Sequence, residues 1–505
     1  MSRKGLELGF SPLKVLSERE VRQIMEGTVT VLERTGIVVE DPDVLKLMES
    51  AGCKVDYSNK RVRIPESVIT DCLDTTPNAY MLKARDEAFN VHITSGRNTF
   101  FMASCGMELL DLNTWGTREP TRKEFYDAIK VLDYLEHVDI QTAFPYWGFA
   151  KTPGCMRLIE SAASKFRVSR KVQEEGSTED EYRWITAMAK ALDADVVQIA
   201  NPVSPLTFFK SFTDRLRFLA ENDMPIQFAS GPTKGFTAPV TAAGAIVSNN
   251  AETIASMVLA QLYNRGTRSW AGSMMLTPNM VNGLPAFGDI GQGIHDAIFN
   301  QVWQAYQIPC TIWSSSWTSS MTLDYQAGYE ISMMALISAL SGASVIVSFS
   351  GFHAQLAAHP AKSIIDNDVI GMIKKFCDGS GSIVNDETLA LDLIDEVGPM
   401  PNNFLSTMHT LEHWRDGCYV PDVANRFSGE AWREKGSKNT LDLALEKMDD
   451  ILKNYQITPL TDSQEDEIEY ILNDARNYYR KKGIISDEEW ALYQEDLSSP
   501  NYPFG

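Results

Sequence analysis

The chain has 505 residues, 44% hydrophobic and 22% charged, an ordinary globular balance that excludes collagen, coiled-coil and mostly disordered readings. With 67 acidic against 46 basic residues the net charge is -21, and no Lys/Arg run offers the basic footprint that nucleic acid or an anionic membrane requires. Seven scattered cysteines without a C-x-x-C pair, no signal-peptide core and no long apolar span lead us to expect a soluble, cytoplasmic protein.

Residues 1–97 read as an N-terminal α/β extension. Ser17 and Glu20 form a capping box ahead of Val21, Ile24, Val31 and Leu32, and Gly36 ends that helix. Asp41-Pro42 starts a second helix through Val44, Leu45 and Met48, and Arg61-Val62-Arg63-Ile64 reads as a short strand. From 98 to 380, apolar β-rich runs recur near 98–103, 138–146, 165–172, 196–203, 225–230, 268–276, 309–316 and 344–350, with helical patterns between most of them. Their near-continuous hydrophobicity suits a parallel sheet covered on both faces, and eight β-α units are the number of a TIM (β/α)8 barrel. An open doubly wound sheet would need a glycine-rich phosphate turn after its first strand, which is missing. Residues 381–505 read as a C-terminal helical extension, with helices near 440–455, 462–482 and 486–495 and a loose tail from Ser498.

Barrels build their sites where strands end. The second run ends in Phe144-Pro145-Tyr146-Trp147, the third in Arg170-Lys171, the fourth in Asn201-Pro202-Val203-Ser204-Pro205 and the fifth in Ser230-Gly231-Pro232-Thr233-Lys234. The sixth contains Trp270, the seventh ends in Trp313-Ser314-Ser315-Ser316-Trp317 and the eighth in Ser350-Gly351-Phe352-His353. These ends are rich in aromatics and carry no acidic residue or cysteine, a pattern suited to holding a quaternary ammonium cation on aromatic faces. The same aromatics are equally at home as core filling. His409-Thr410-Leu411-Glu412-His413 matches H-x-x-E-H, a zinc-ligand spacing, but no third ligand is identifiable. There is no G-x-S-x-G elbow, and no histidine sits in the D-x-H-x-x-G setting that carries a corrinoid.

Several stretches resemble the trimethylamine–corrinoid methyltransferase family: Asn201-Pro202-Val203-Ser204-Pro205-Leu206, Gly235 to Gly244, Asp324-Tyr325-Gln326-Ala327-Gly328-Tyr329-Glu330, Leu340-Ser341-Gly342-Ala343, and His409 to His413 followed by Glu430-Ala431-Trp432. The resemblance implies a TIM barrel that passes a methyl group to a separate corrinoid protein, with no cofactor bound by this chain. The trimethylamine-specific members carry pyrrolysine, and this sequence shows only the twenty standard residues. It therefore resembles the non-pyrrolysine branch, whose substrates are glycine betaine and other quaternary amines. On this reading Trp313, Trp317, Trp270, Tyr146 and Phe352 offer aromatic faces to the substrate. His353 is the first choice to meet a substrate carboxylate, with Arg170, Lys171 and Lys234 behind it. No residue is assigned as catalytic, no metal is expected, and self-association into a homo-oligomer is left open. The alternatives are a catalytically silent quaternary-amine-binding barrel and a metal-dependent hydrolase using His409 and His413.

Overall fold

The computed structural model describes residues 3–104, 106–142, 151–349, 351–353, 356–378 and 384–504. Its centre is eight parallel strands: β1 (Asn98–Ala103), β2 (Ile140–Gln141), β3 (Val172–Glu175), β4 (Val196–Ile199), β5 (Ile226–Ser230), β6 (Ser269–Ser273), β7 (Cys310–Ile312) and β8 (Val345–Ser348). Each pairs with the next, and β8 returns to β1 from Val345 beside Phe100 to Ser348 beside Ala103, so the sheet closes. A helix follows every strand: α1 (Arg122–Tyr134), α2 (Gly154–Val168), α3 (Tyr182–Ala191), α4 (Lys210–Glu221), α5 (Ala242–Tyr263), α6 (Ile290–Ala305), α7 (Tyr325–Leu340) and α8 (Pro360–Cys377). This is the TIM barrel that the apolar rhythm predicts.

One strand lies later than its run. Residues 165–168 are the last turn of α2, and β3 starts only at Val172. That end of α2 is buried on every side, so its apolar run has no period to separate helix from strand. Arg170 and Lys171 consequently enter β3 from its N-terminal end, and the strand runs out through Glu174 and Glu175. The end of this strand therefore carries two buried acidic residues, against the expectation of strand ends free of them.

The N-terminal helices start where their caps predict, at Ser17 and Asp41. A hairpin of residues 79–82 and 91–94 places Tyr80, Leu82, Val91 and Ile93 in one buried cluster with Phe100, Val172 and Trp270. The hairpin thereby closes the N-terminal end of the barrel. The three last helices run over Thr440–Asn454, Asp462–Lys481 and Asp487–Leu497. Arg476 donates to Glu160 Oε1 of α2 at 2.7 Å, Arg167 of α2 to Glu469 Oε1 at 2.7 Å, and Trp184 Nε1 of α3 to Asp474 Oδ2 at 2.9 Å. The tail is also tied, because Tyr502 OH accepts from Arg476 at 2.8 Å and donates to Glu469 at 3.0 Å. The polar, proline-rich tail looks loose in sequence only because those partners are far away along the chain. Among the described residues no helix is long and apolar enough to cross a membrane.

Candidate active site

In a barrel whose strands step by one residue each, inward side chains of alternate strands share a level. Tracing the pairings from Met102 of β1 through Glu174 of β3, Gln227 of β5 and Thr311 of β7 returns to Met102, so these four form one level. The level below holds Ile140, Val197, Trp270 and Val345; the level above holds Thr142, Ile199, Gly272 and Val347. Ser104, Ala229 and Trp313 come next, at the mouth. Hydrogen bonds between levels agree with this tracing. Thr142 Oγ1 donates to Glu174 Oε2 at 2.7 Å from above, and Trp270 Nε1 donates to Thr311 Oγ1 at 2.6 Å from below.

The lower interior is apolar and the middle level is polar. Glu174 and Gln227 are fully buried. Glu174 Oε1 and both amide atoms of Gln227 find no hydrogen-bond partner among the described residues, and neither does the indole Nε1 of buried Trp313. Buried polar atoms are nearly always partnered, so these orphans on inward barrel positions make the interior a candidate ligand-facing surface. Burial pushes the Glu174 carboxyl up to about 7, with the Thr142 bond opposing. Above this level the side chains on one side are small. Gly272 has no room for a Cβ, which would meet Ala229 Cα and Cβ at 3.0 Å.

The mouth is walled by the turn after β7. Trp313 and Trp317 bracket the 3-10 turn Ser314–Ser316, their rings 5.8 Å apart and tilted by 35°. Phe287 meets Trp317 edge-on at 5.1 Å, and Trp317 Nε1 donates to Ser104 Oγ at 3.0 Å. Trp317 lines a cavity of about 420 Å³ with Asn201, Ala229, Gly231, Met274 and Leu276.

Three buried carboxylates on the helices pin the loops around this cavity. Glu252 of α5 accepts from Ser204 Oγ at 2.7 Å, from Leu206 N at 2.9 Å and from Ser230 Oγ. Asp296 of α6 accepts from Ser314 Oγ and from Gln292 Nε2 at 3.1 Å. Burial pushes the Asp296 carboxyl up to about 7. Glu330 of α7 accepts from Ser319 N at 2.9 Å, from Gln326 Nε2 at 2.8 Å and from Thr318 Oγ1, immediately after Trp317. Gly288, at φ +78°, makes room for Glu330, whose Cγ would lie 2.3 Å from an added Cβ.

The structure brings Trp313 and Trp317 together at the mouth and places the other sequence candidates elsewhere. Trp270 sits three levels below Trp313 and one below Glu174, stacked at 6.1 Å on Tyr80 of the closing hairpin. Phe352 belongs to a separate cluster with Leu110, Ala327 and Ala357. His353 Nε2 lies 2.8 Å from the Met321 carbonyl and lines an outer groove of about 930 Å³ with Tyr329 and Met333. Tyr146 lies outside the described residues. Arg170 donates to Asp133 Oδ2 at 3.2 Å and to Tyr455 OH at 2.7 Å, while Lys171 Nζ donates to the carbonyls of Leu132 and Leu135 at 2.8 and 2.7 Å. Both therefore serve the closed end of the barrel. Lys234 Nζ is at the mouth but turned to Thr277 Oγ1 at 3.1 Å and to the Gly291 carbonyl at 3.3 Å. His409 and His413 lie on a helix in the C-terminal region, where His413 Nδ1 is 2.8 Å from Asp416 Oδ2. No cluster of three metal-ligating side chains occurs among the described residues.

A family model described as trimethylamine methyltransferase matches residues 2–477. The trimethylamine methyltransferase MttB of Methanosarcina barkeri is 27% identical over 501 residues, covering 95% of this chain and all of its own. The glycine betaine methyltransferase of Desulfitobacterium hafniense is 26% identical over 463 residues, covering 90% and 95%. Among solved structures, the Methanosarcina barkeri monomethylamine methyltransferase MtmB aligns over 86% of this chain and 94% of its own, at 11% identity and a TM-score of 0.42. With the family match running over nearly the whole length, this chain belongs to the trimethylamine methyltransferase family and is a methyltransferase.

Proposed function

We propose that the protein removes a methyl group from a quaternary amine and delivers it to the cobalt(I) of a separate corrinoid protein. The observation that carries this reading is Trp317 walling the mouth cavity with Trp313 packed 5.8 Å behind it, an aromatic surface suited to holding a cation. A quaternary nitrogen keeps the electron pair of the broken C–N bond and leaves as a neutral tertiary amine, so this half of the transfer needs no proton donor. Positioning the nitrogen and excluding water are then the chain's main tasks. The docked partner's corrinoid supplies the cobalt(I) nucleophile.

The rim supports a partner over the mouth. Phe236 and Val240 after β5, Met280, Val281 and Leu284 after β6, and Met321 after β7 are exposed, Val281 to 94%. An apolar patch of this kind on βα loops suits a docking protein. The relatives' names give trimethylamine and glycine betaine as their own substrates, which brackets the amine class. The test is methylation of a corrinoid protein held as cobalt(I), followed by absorbance against a panel of quaternary amines. Transfer from at least one of them is expected; binding without transfer to any corrinoid acceptor would favour a silent amine-binding barrel.

A further inference from the structure

We propose that Glu174 is the counter-ion for the substrate's ammonium group, and that the substrate is a net monocation with an uncharged polar tail rather than a carboxylated betaine. This deepens the methyltransferase reading and rests on it for the identity of the site.

The first ground is the placement of charge. Glu174 is the one ionisable side chain on the inward levels described above, two levels below Trp313, or roughly 5 Å for a strand tilted as in such barrels. A cation against the Trp313–Trp317 wall therefore has a carboxylate beneath it. Thr142 fills Glu174 Oε2, and Oε1 is left for the ligand. Around the carboxyl, the barrel interior presents Met102, Thr142, Gln227 and Thr311. The charges behind it are Lys165 of α2 and Glu175, paired with each other at 2.5 Å, and Lys165 Nζ also donates to the Glu174 carbonyl at 2.8 Å.

The second ground is what a substrate carboxylate would meet. Arg170, Lys171, Lys234 and His353 are all engaged away from this interior, as described. The inward positions from Phe100 to Trp313 carry no Lys, Arg or His, and residues 143–150 contain none in sequence. A betaine carboxylate would lie beside Glu174 with no basic group to balance it, an unfavourable burial of like charges. Gln227 instead offers an unpartnered amide NH2, with two N–H donors, and an unpartnered carbonyl oxygen, which match a hydroxyl or amide tail.

Burial keeps the free carboxyl protonated up to about neutral pH, and a bound cation favours its ionised form. Binding of a monocation then releases a proton and tightens as pH rises from 6 to 8. A zwitterion gains far less from that ionisation, because its own carboxylate is repelled as its ammonium is attracted.

The experiment is calorimetric titration of the full chain with choline and with glycine betaine at pH 6, 7 and 8, in two buffers of different ionisation heat. Choline is expected to bind at least tenfold more tightly than glycine betaine at pH 8, tightening several-fold from pH 6, with proton release read from the buffer difference. Glu174→Gln should weaken choline at least tenfold and flatten its pH profile without weakening glycine betaine. Gln227→Leu should weaken choline while leaving its pH profile in place. If Glu174→Gln does not fold, the ligand ranking and the wild-type pH profile decide. Tighter binding of glycine betaine, or choline binding within twofold of wild type in folded Glu174→Gln, overturns the proposal. Choline binding through Glu174 with no methyl transfer to cobalt sinks the methyltransferase reading alone. Transfer confined to carboxylated betaines sinks this inference alone.

Discussion

Trp317 donates its indole N–H to Ser104 Oγ across 3.0 Å, fastening the turn after β7 to the C-terminal end of β1. The bond fixes one wall of the mouth cavity relative to the barrel, because Ser104 follows a strand buried on both sides. Aromatic walls hold cations best when the ring cannot turn away, so on the proposed function this bond would serve binding as well as folding.

Replacing that ring tests the wall. A cation over one aromatic face is worth about 0.5–2 kcal/mol, so Trp317→Ala should weaken substrate binding roughly 2- to 30-fold. Trp317→Phe keeps a ring but loses the Ser104 bond, and should fall between the two. Titration of the reactive amine into folded variants gives the ranking. Equal affinities in all three would mean that the substrate sits elsewhere.

The loop after Trp317 depends on Glu330. Glu330→Ala leaves the Ser319 N–H and the Thr318 hydroxyl without their acceptor, a loss of about 1–3 kcal/mol. We expect a lower urea midpoint together with a raised KM, because the same loop carries the aromatic wall. A stability loss with KM unchanged would confine Glu330 to the scaffold.

The barrel's course is legible in sequence because its strands are buried on both faces and read as unbroken apolar runs. The site is less so. The third run stops at residue 172, and Glu174 lies just past it, hidden by an α2 end that is equally apolar on every side. Asp296 and Glu330 sit inside helices whose spacing gives no sign that a carboxylate turns inward, and their partners Ser314 and Thr318 each directly follow one of the two tryptophans. Only Trp313 and Trp317 announce themselves, by bulk and by position. Trp270 has the same bulk, but its place early in β6 puts it at the closed end.

Asp296 makes stability fall with rising pH. Its folded carboxyl is raised to about 7, whereas the unfolded chain titrates near the ordinary aspartate value of about 3.9. Between those values the folded state holds the extra proton, so its contribution is complete below the unfolded value and is lost as pH rises through about 7. The stability of wild type relative to Asp296→Asn should therefore decline by up to about 1.4 kcal/mol per pH unit from pH 5 to 7, then level off. Urea midpoints at pH 5, 6, 7 and 8 read this directly. A difference that stays constant or grows would show that Asp296 is ionised in the fold.

One of the ties between the C-terminal helices and the barrel centres on a buried carboxylate. Arg476 pairs with buried Glu160 of α2 at 2.7 Å, with Arg122 of α1 at 3.5 Å from its other oxygen. Arg476→Ala should cost about 3 kcal/mol, the low end for breaking a buried pair, because Arg122 remains. Limited proteolysis should then cleave first beyond residue 455. Proteolysis and melting unchanged from wild type would show the clamp to be dispensable.

The most direct measurement mixes the full chain with a cobalt(I) corrinoid protein and methyl-labelled quaternary amines, one at a time, and counts both products. The account predicts that one amine gives demethylated tertiary amine and methylated cobalt in equal amounts, and that Trp313→Ala or Trp317→Ala lowers the yield at limiting substrate. Transfer from trimethylamine but from no quaternary amine would contradict it.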